Sequence, residues 1–126
     1  EMLNAFLKSK KVSFDKVFSS SSVRTEITCS VVLEGIFEFD KISFLDDFYH
    51  ASAEYLKNFL LDKTFQESVL IVGHNPGLSD LVSYLSKRDI YLRTCDLVCL
   101  ESKQSDSTLV FNLHWFWNPK KGFIEN

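Results

Sequence analysis

Apolar positions along this chain follow two periods. Met2, Leu3, Phe6 and Leu7 form a helical stripe and predict a helix over Met2 to Lys10. Val23, Ile27 and Val31 fall at i, i+4 and i+8 and predict a second helix over Val23 to Leu33. A third is expected over Ala53 to Leu61, with Ser52 suited to its N-cap and Glu54 to its first turn. Leu78, Leu81, Val82 and Leu85 predict a fourth over Leu78 to Leu85. Short apolar runs separate these helices at Lys16 to Phe18, Ile42 to Phe44 and Val69 to Val72. The last run is too short and too continuously apolar for an exposed helix, so it reads as a strand covered on both faces. Two more strands are expected, over Asp96 to Leu100 and Leu109 to Trp117. Leu109, Phe111, Leu113, Trp115 and Trp117 alternate strictly, giving one apolar sheet face with His114 on the other. The polar stretch from Ser102 to Ser107 predicts a hairpin-like turn between them. Strands alternating with helices and then a strand pair imply an α/β fold with a parallel core and an antiparallel margin.

Composition narrows the classes. A chain of 126 residues is one domain, and a hydrophobic share of 45% with twelve Phe supports an aromatic-rich core. A net charge of −3 gives no argument for nucleic-acid binding. No apolar run approaches a membrane span, and no signal peptide is visible. Cys29, Cys95 and Cys99 are odd in number and lack metal-ligand spacing, so they read as reduced, mostly buried small residues of a cytoplasmic protein. Neither a metal nor a cofactor is implied.

Chemistry concentrates at two strand-to-helix junctions. In Gly73-His74-Asn75-Pro76-Gly77, His74 sits between the carboxyl end of a strand and the amino end of a helix. Ligands of parallel sheets bind at that edge, where free N–H groups and the helix dipole favour an anion. Gly73 and Gly77 permit close backbone approach, and Pro76 suits an early helix position. Upstream, Ser19 to Ser22 form a turn, and Arg24 follows in the first turn of the next helix. A cation is unfavourable there unless it has an anionic partner, and a guanidinium binds phosphate with a planar fork of donors. Plainer readings stand beside these. His74 is then a polar strand end, Arg24 a solvated side chain paired with Glu26, the serines a loop with an N-cap, and His114 an exposed or structural residue.

Together, Phe18 to Thr28 and Val69 to Ser79 resemble the histidine phosphatase superfamily, which includes phosphoglycerate mutases and many phosphatases. They are similar in particular to its SixA-type phosphohistidine phosphatase branch, with "SSP..R..QT" and "VLLVGHNPGLS" segments. Asp46 to Ser52, Arg93-Thr94 and Asn118-Pro119-Lys120 are weaker echoes. The resemblance implies a three-layer phosphoglycerate-mutase-like α/β fold, a mostly parallel sheet with helices on both faces. It also implies phosphoryl transfer through a phosphohistidine enzyme intermediate. Arg24 and His74 then hold the non-bridging phosphoryl oxygens, Asp46 or Asp47 is the candidate acid for the leaving group, and Thr94 adds a hydroxyl to the rim. The implied partner is a phosphorylated protein histidine or a small phosphorylated substrate, without nucleic acid or membrane.

The family's nucleophile is a histidine in an Arg-His-Gly or Arg-His-Ala motif at the end of the first strand. Only His50, His74 and His114 occur here, and none follows an Arg. By resemblance, the helix at Met2 follows that strand. The expectation is therefore a single histidine-phosphatase-like domain over residues 1–126, truncated at its amino end and inactive as given. It would lack the first central strand and leave two strand edges open. Competing readings are a non-catalytic phospholigand- or protein-binding module, a mutase-like transferase, and His74 as the nucleophile. A serine hydrolase fits poorly, because Asn75 and not Ser is at the centre of Gly73-x-x-x-Gly77.

Overall fold

A computed structural model describes residues 2–61, 68–105 and 108–125. Helix α1 (Met2–Ser9) is followed by strand β1 (Lys16–Ser20), helix α2 (Val23–Val32), strand β2 (Ser43–Leu45) and helix α3 (Ala53–Leu61). Strand β3 (Val69–Val72) and helix α4 (Gly77–Ser86) come next, then strands β4 (Leu97–Ser105), β5 (Thr108–Asn118) and β6 (Gly122–Glu125). Short 3₁₀ turns at Phe39–Lys41 and Asp46–Phe48 flank β2.

The strands form two three-stranded sheets. One is parallel, in the order β2-β1-β3, with Ser19 of β1 opposite Val72 of β3. The other is antiparallel, in the order β4-β5-β6, with a bulge between Cys99 and Leu100. Alternation along the parallel strands sorts their side chains into two cores. Val17, Phe44, Leu70 and Val72 join Leu3 and Leu7 of α1 and Cys29 and Val32 of α2. Phe18, Leu45 and Ile71 join Leu56 of α3 and Leu81 of α4, around the buried ring of Phe48. The result is helix, sheet, helix: the expected three layers.

Several expectations change. First, the stripe Val23, Ile27, Val31 faces solvent, with Val23 74% and Ile27 58% exposed. Helix α2 buries Thr25, Cys29 and Val32 instead, because the Thr25 hydroxyl is anchored on the Ser20 carbonyl at 2.7 Å and turns that face inward. Second, Ser102 to Ser105 continue β4, held by pairing with β5 down to Ser105 opposite Thr108. The rest of the expected turn, residues 106–107, lies outside the described residues. Third, β6 is an additional strand, with Phe123 paired opposite Trp117. Fourth, Cys95 is exposed, whereas burial covers Cys29 and pushes its thiol pKa up.

Val69 to Val72 are half-buried and not fully covered. Among the described residues, no strand pairs with the outer edge of β3 or of β4. Both edges line one apolar cleft of about 320 Å³, closed by Leu7, Leu81, Val82 and Trp115. Leu97 to Leu100 of β4 are half-buried for the same reason. The apolar parts of β3 and β4, Val69 to Ile71 and Leu97 to Leu100, therefore both line this gap.

Candidate active site

Parallel pairing of β1 with β3 brings their carboxyl ends together, so the segments after Ser20 and Val72 share one edge of the sheet. Ser22 caps α2, accepting the Thr25 N–H at 3.2 Å. That places Arg24 in the first helical turn, exposed at this edge. On the β3 side, the Asn75 carboxamide organises the turn. It donates to the Leu92 carbonyl at 2.6 Å and accepts the hydroxyl of Ser79 at 2.6 Å and its N–H at 3.2 Å. The peptide between Asn75 and Pro76 is cis, and Pro76 stands at the N-cap of α4, not inside its first turn.

The two glycines differ. A Cβ on Gly77 would lie 2.1 Å from the Ala51 carbonyl oxygen, whereas a Cβ on Gly73 would meet only Leu78 at ordinary contact distance, 3.6 Å. Close approach is therefore the task of Gly77 alone. It lets α4 start against the loop that carries Tyr49 and His50.

His74 is the centre of the cluster. Its Nε2 is 2.8 Å from the Ser20 hydroxyl. The Tyr49 ring stands 5.2 Å from it, and His50 packs edge-on against Tyr49 at 4.6 Å. Burial lowers the His74 pKa, and the charges of His50 and then Arg24 lower it further. Arg24 and His74, far apart in sequence, belong to segments that leave the same edge of the parallel sheet. His50 joins them although the sequence reading assigned it no role. Its only signal was its place beside Tyr49 in the Asp46 to Ser52 segment.

The two acidic candidates part. Asp46 accepts the Ser21 hydroxyl, at the same sheet edge as Arg24. Asp47 turns to Tyr55 of α3, whose hydroxyl lies 3.4 Å away. Thr94 is exposed in the connection between α4 and β4. Among the described residues, no hydrogen bond or ring contact ties it to Arg24 or His74. His114 is exposed on β5. No group of three His, Cys, Asp or Glu side chains among the described residues could hold a metal ion. None of their helices is long and apolar enough to cross a membrane. The arrangement supplies a guanidinium and an imidazole with hydroxyls near them, a setting suited to binding an oxyanion.

No protein-family model matches this sequence, and no curated protein matches it. Among solved structures, the chain is similar to the protein histidine phosphatase SixA complexed with tungstate. The TM-score is 0.78 and the identity 20%, over 94% of this chain and 77% of that one. Three layers, a parallel sheet and this likeness agree: the chain has the SixA-like, phosphoglycerate-mutase-like histidine phosphatase fold.

Proposed function

We propose that this domain is a phosphatase unit acting on phosphohistidine or another small phosphoryl substrate, with Arg24 and His74 as its phosphoryl-binding pair. The observation that supports this reading is the parallel pairing of β1 with β3, which sets the segments bearing Arg24 and His74 at one carboxyl edge of the sheet. The structural relative is a protein histidine phosphatase seen with tungstate, an oxyanion.

In this scheme a histidine nucleophile attacks phosphorus. As the bond to the leaving group lengthens, Arg24 and His74 stabilise charge on the non-bridging oxygens. Asp46 is the candidate to protonate the leaving atom, and Asp47, turned to α3, is not. Water then cleaves the phosphohistidine enzyme. A phosphohistidine substrate asks little of the acid, because its P–N bond breaks readily once the ring nitrogen is protonated. The nucleophile is none of His50, His74 and His114. The β3–β4 cleft, with an open strand edge on each side, has the place for a strand that would bring it. Without such a strand the alternative is a non-catalytic phospholigand- or protein-binding module that keeps Arg24 and His74.

The test compares this chain with one extended by a strand bearing Arg-His-Gly, using a labelled phosphodonor. The extended chain is expected to trap acid-labile, base-stable label and to turn over, losing at least about 10²-fold on Arg24→Ala or His74→Ala. Covalent catalysis needs its nucleophile, so the 126-residue chain is expected to trap none. Label on His74 in the short chain would overturn this assignment. Turnover by the extended chain without any label would overturn the covalent route.

A further inference from the structure

Ser20 ends β1 and is wholly buried, 0% exposed. Its backbone is fixed from two sides: its carbonyl accepts the Thr25 hydroxyl at 2.7 Å and the Ser19 hydroxyl at 2.9 Å. Its own hydroxyl oxygen accepts the Ser22 N–H at 3.3 Å and stands 2.8 Å from His74 Nε2. A buried hydroxyl proton needs an acceptor, since leaving one unpaired costs about 1–3 kcal/mol. Among the described residues, the acceptor in reach is Nε2. Ser22 N–H occupies one lone pair of the oxygen, which leaves the Ser20 O–H able to turn to Nε2 and donate there. A neutral imidazole that accepts at Nε2 carries its proton on Nδ1.

We propose that Ser20 is a positioning residue that holds His74 in its Nδ1–H form, so that Nδ1–H, and not Nε2–H, is the donor offered to a bound phosphoryl oxygen. The inference rests on reading Arg24 and His74 as an oxyanion site. The surroundings favour the neutral ring, which gives the tautomer its importance. Burial, His50 across the Tyr49 ring, and Arg24 from α2 all lower its pKa. Asp46, at the same edge, is engaged by Ser21. The turn after β1 therefore does two tasks: it starts the helix that carries Arg24, and it sets the proton on His74.

The experiment reads the two ring nitrogens of His74 by proton–nitrogen correlation in the wild-type protein, at a pH above the ring's titration. The expected result is a protonated Nδ1 and a bare Nε2. In Ser20→Ala the ring should move to a mixed or Nε2–H population. Its titration midpoint should rise, because a donor that favoured the neutral form is gone. Sulfate affinity should fall by roughly three- to tenfold. In Arg24→Ala, sulfate affinity should fall while the tautomer stays Nδ1–H. A protonated Nε2 in the wild type overturns the role of Ser20, whatever the variants do. Nδ1–H in the wild type with no sulfate binding upholds the Ser20 contact and strikes the oxyanion reading instead.

Discussion

Arg24, His50 and His74 are three cation-forming groups gathered at one sheet edge, and the consequence falls on His74. Burial first, then His50 and Arg24, hold its pKa below the ordinary value of 6.5. The unfolded chain therefore binds more protons than the fold once pH drops past 6.5. The stability tied to a neutral His74 is fully present above 6.5 and is lost as pH falls toward and through the depressed value. Urea unfolding between pH 8 and 5 should show this decline, with a shallower slope in His74→Gln; identical slopes would remove His74 as its source. Removing a neighbouring charge should act in the opposite sense. Arg24→Ala should raise the titration midpoint of His74, read by proton resonance, and an unmoved midpoint would mean that the two groups do not sense each other. The positions of Arg24 and His74 at strand-to-helix junctions were legible, since a short apolar run precedes each and a helix begins beside it. His50 was not, since its contact with the site runs through the Tyr49 ring. Thr94 drew attention by sequence order alone, and only tertiary structure separates Asp46 from Asp47.

Helix starts fix the site, and they do so through backbone contacts. Gly77→Ala would force a Cβ to 2.1 Å from the Ala51 oxygen, so α4 or the Ala51 loop must shift. The expected loss is about 1–3 kcal/mol of unfolding free energy, of the order that overpacking costs, with weakened oxyanion binding. Gly73→Ala meets only an ordinary contact and should stay within about 1 kcal/mol of the wild type. Equal effects in denaturant unfolding would contradict the geometry. Helix α2 offers a parallel pair. Ile27→Lys, on the exposed face, should change stability by no more than about 0.5 kcal/mol. Cys29→Asp should be strongly destabilising, because it buries a carboxylate in the first core. Periodicity alone had favoured the exposed stripe on α2. Three β-branched residues at perfect spacing outweighed Thr25 and Cys29 in the reading, although those smaller side chains are the ones anchored to β1. The bounds of α3 and β3 were fully legible, since the Ser52 hydroxyl oxygen accepts the Tyr55 N–H at the start of the one and Gly73 follows the other. Polar Ser102 to Ser105 read as a turn because long-range pairing with β5, not composition, makes them a strand. β6 is too short to announce itself.

At the scale of the molecule, the open cleft between β3 and β4 separates a parallel sheet that carries the candidate site from an antiparallel sheet that backs it. The sequence showed its walls as strands, Val69 to Val72 as an interior one and Asp96 to Leu100 at the antiparallel margin, but the unpaired edges emerge only from topology. Amides of β3 and β4 that point into the cleft lack strand partners among the described residues and should exchange rapidly with deuterium, while those facing β1 and β5 are protected. A strand seated in the cleft should slow the first group without changing the second. Full protection on both edges in the 126-residue chain would mean that another segment already pairs there. In the proposed site, Arg24 and His74 hold a phosphoryl-like anion between them. The most direct measurement is a crystal of this protein soaked in tungstate, with the tungsten located by its anomalous scattering. The predicted result is one principal site whose oxygens lie about 3 Å from both the Arg24 guanidinium and a ring nitrogen of His74. A principal tungsten site elsewhere, with Arg24 and His74 touching no anion at saturating tungstate, would contradict it.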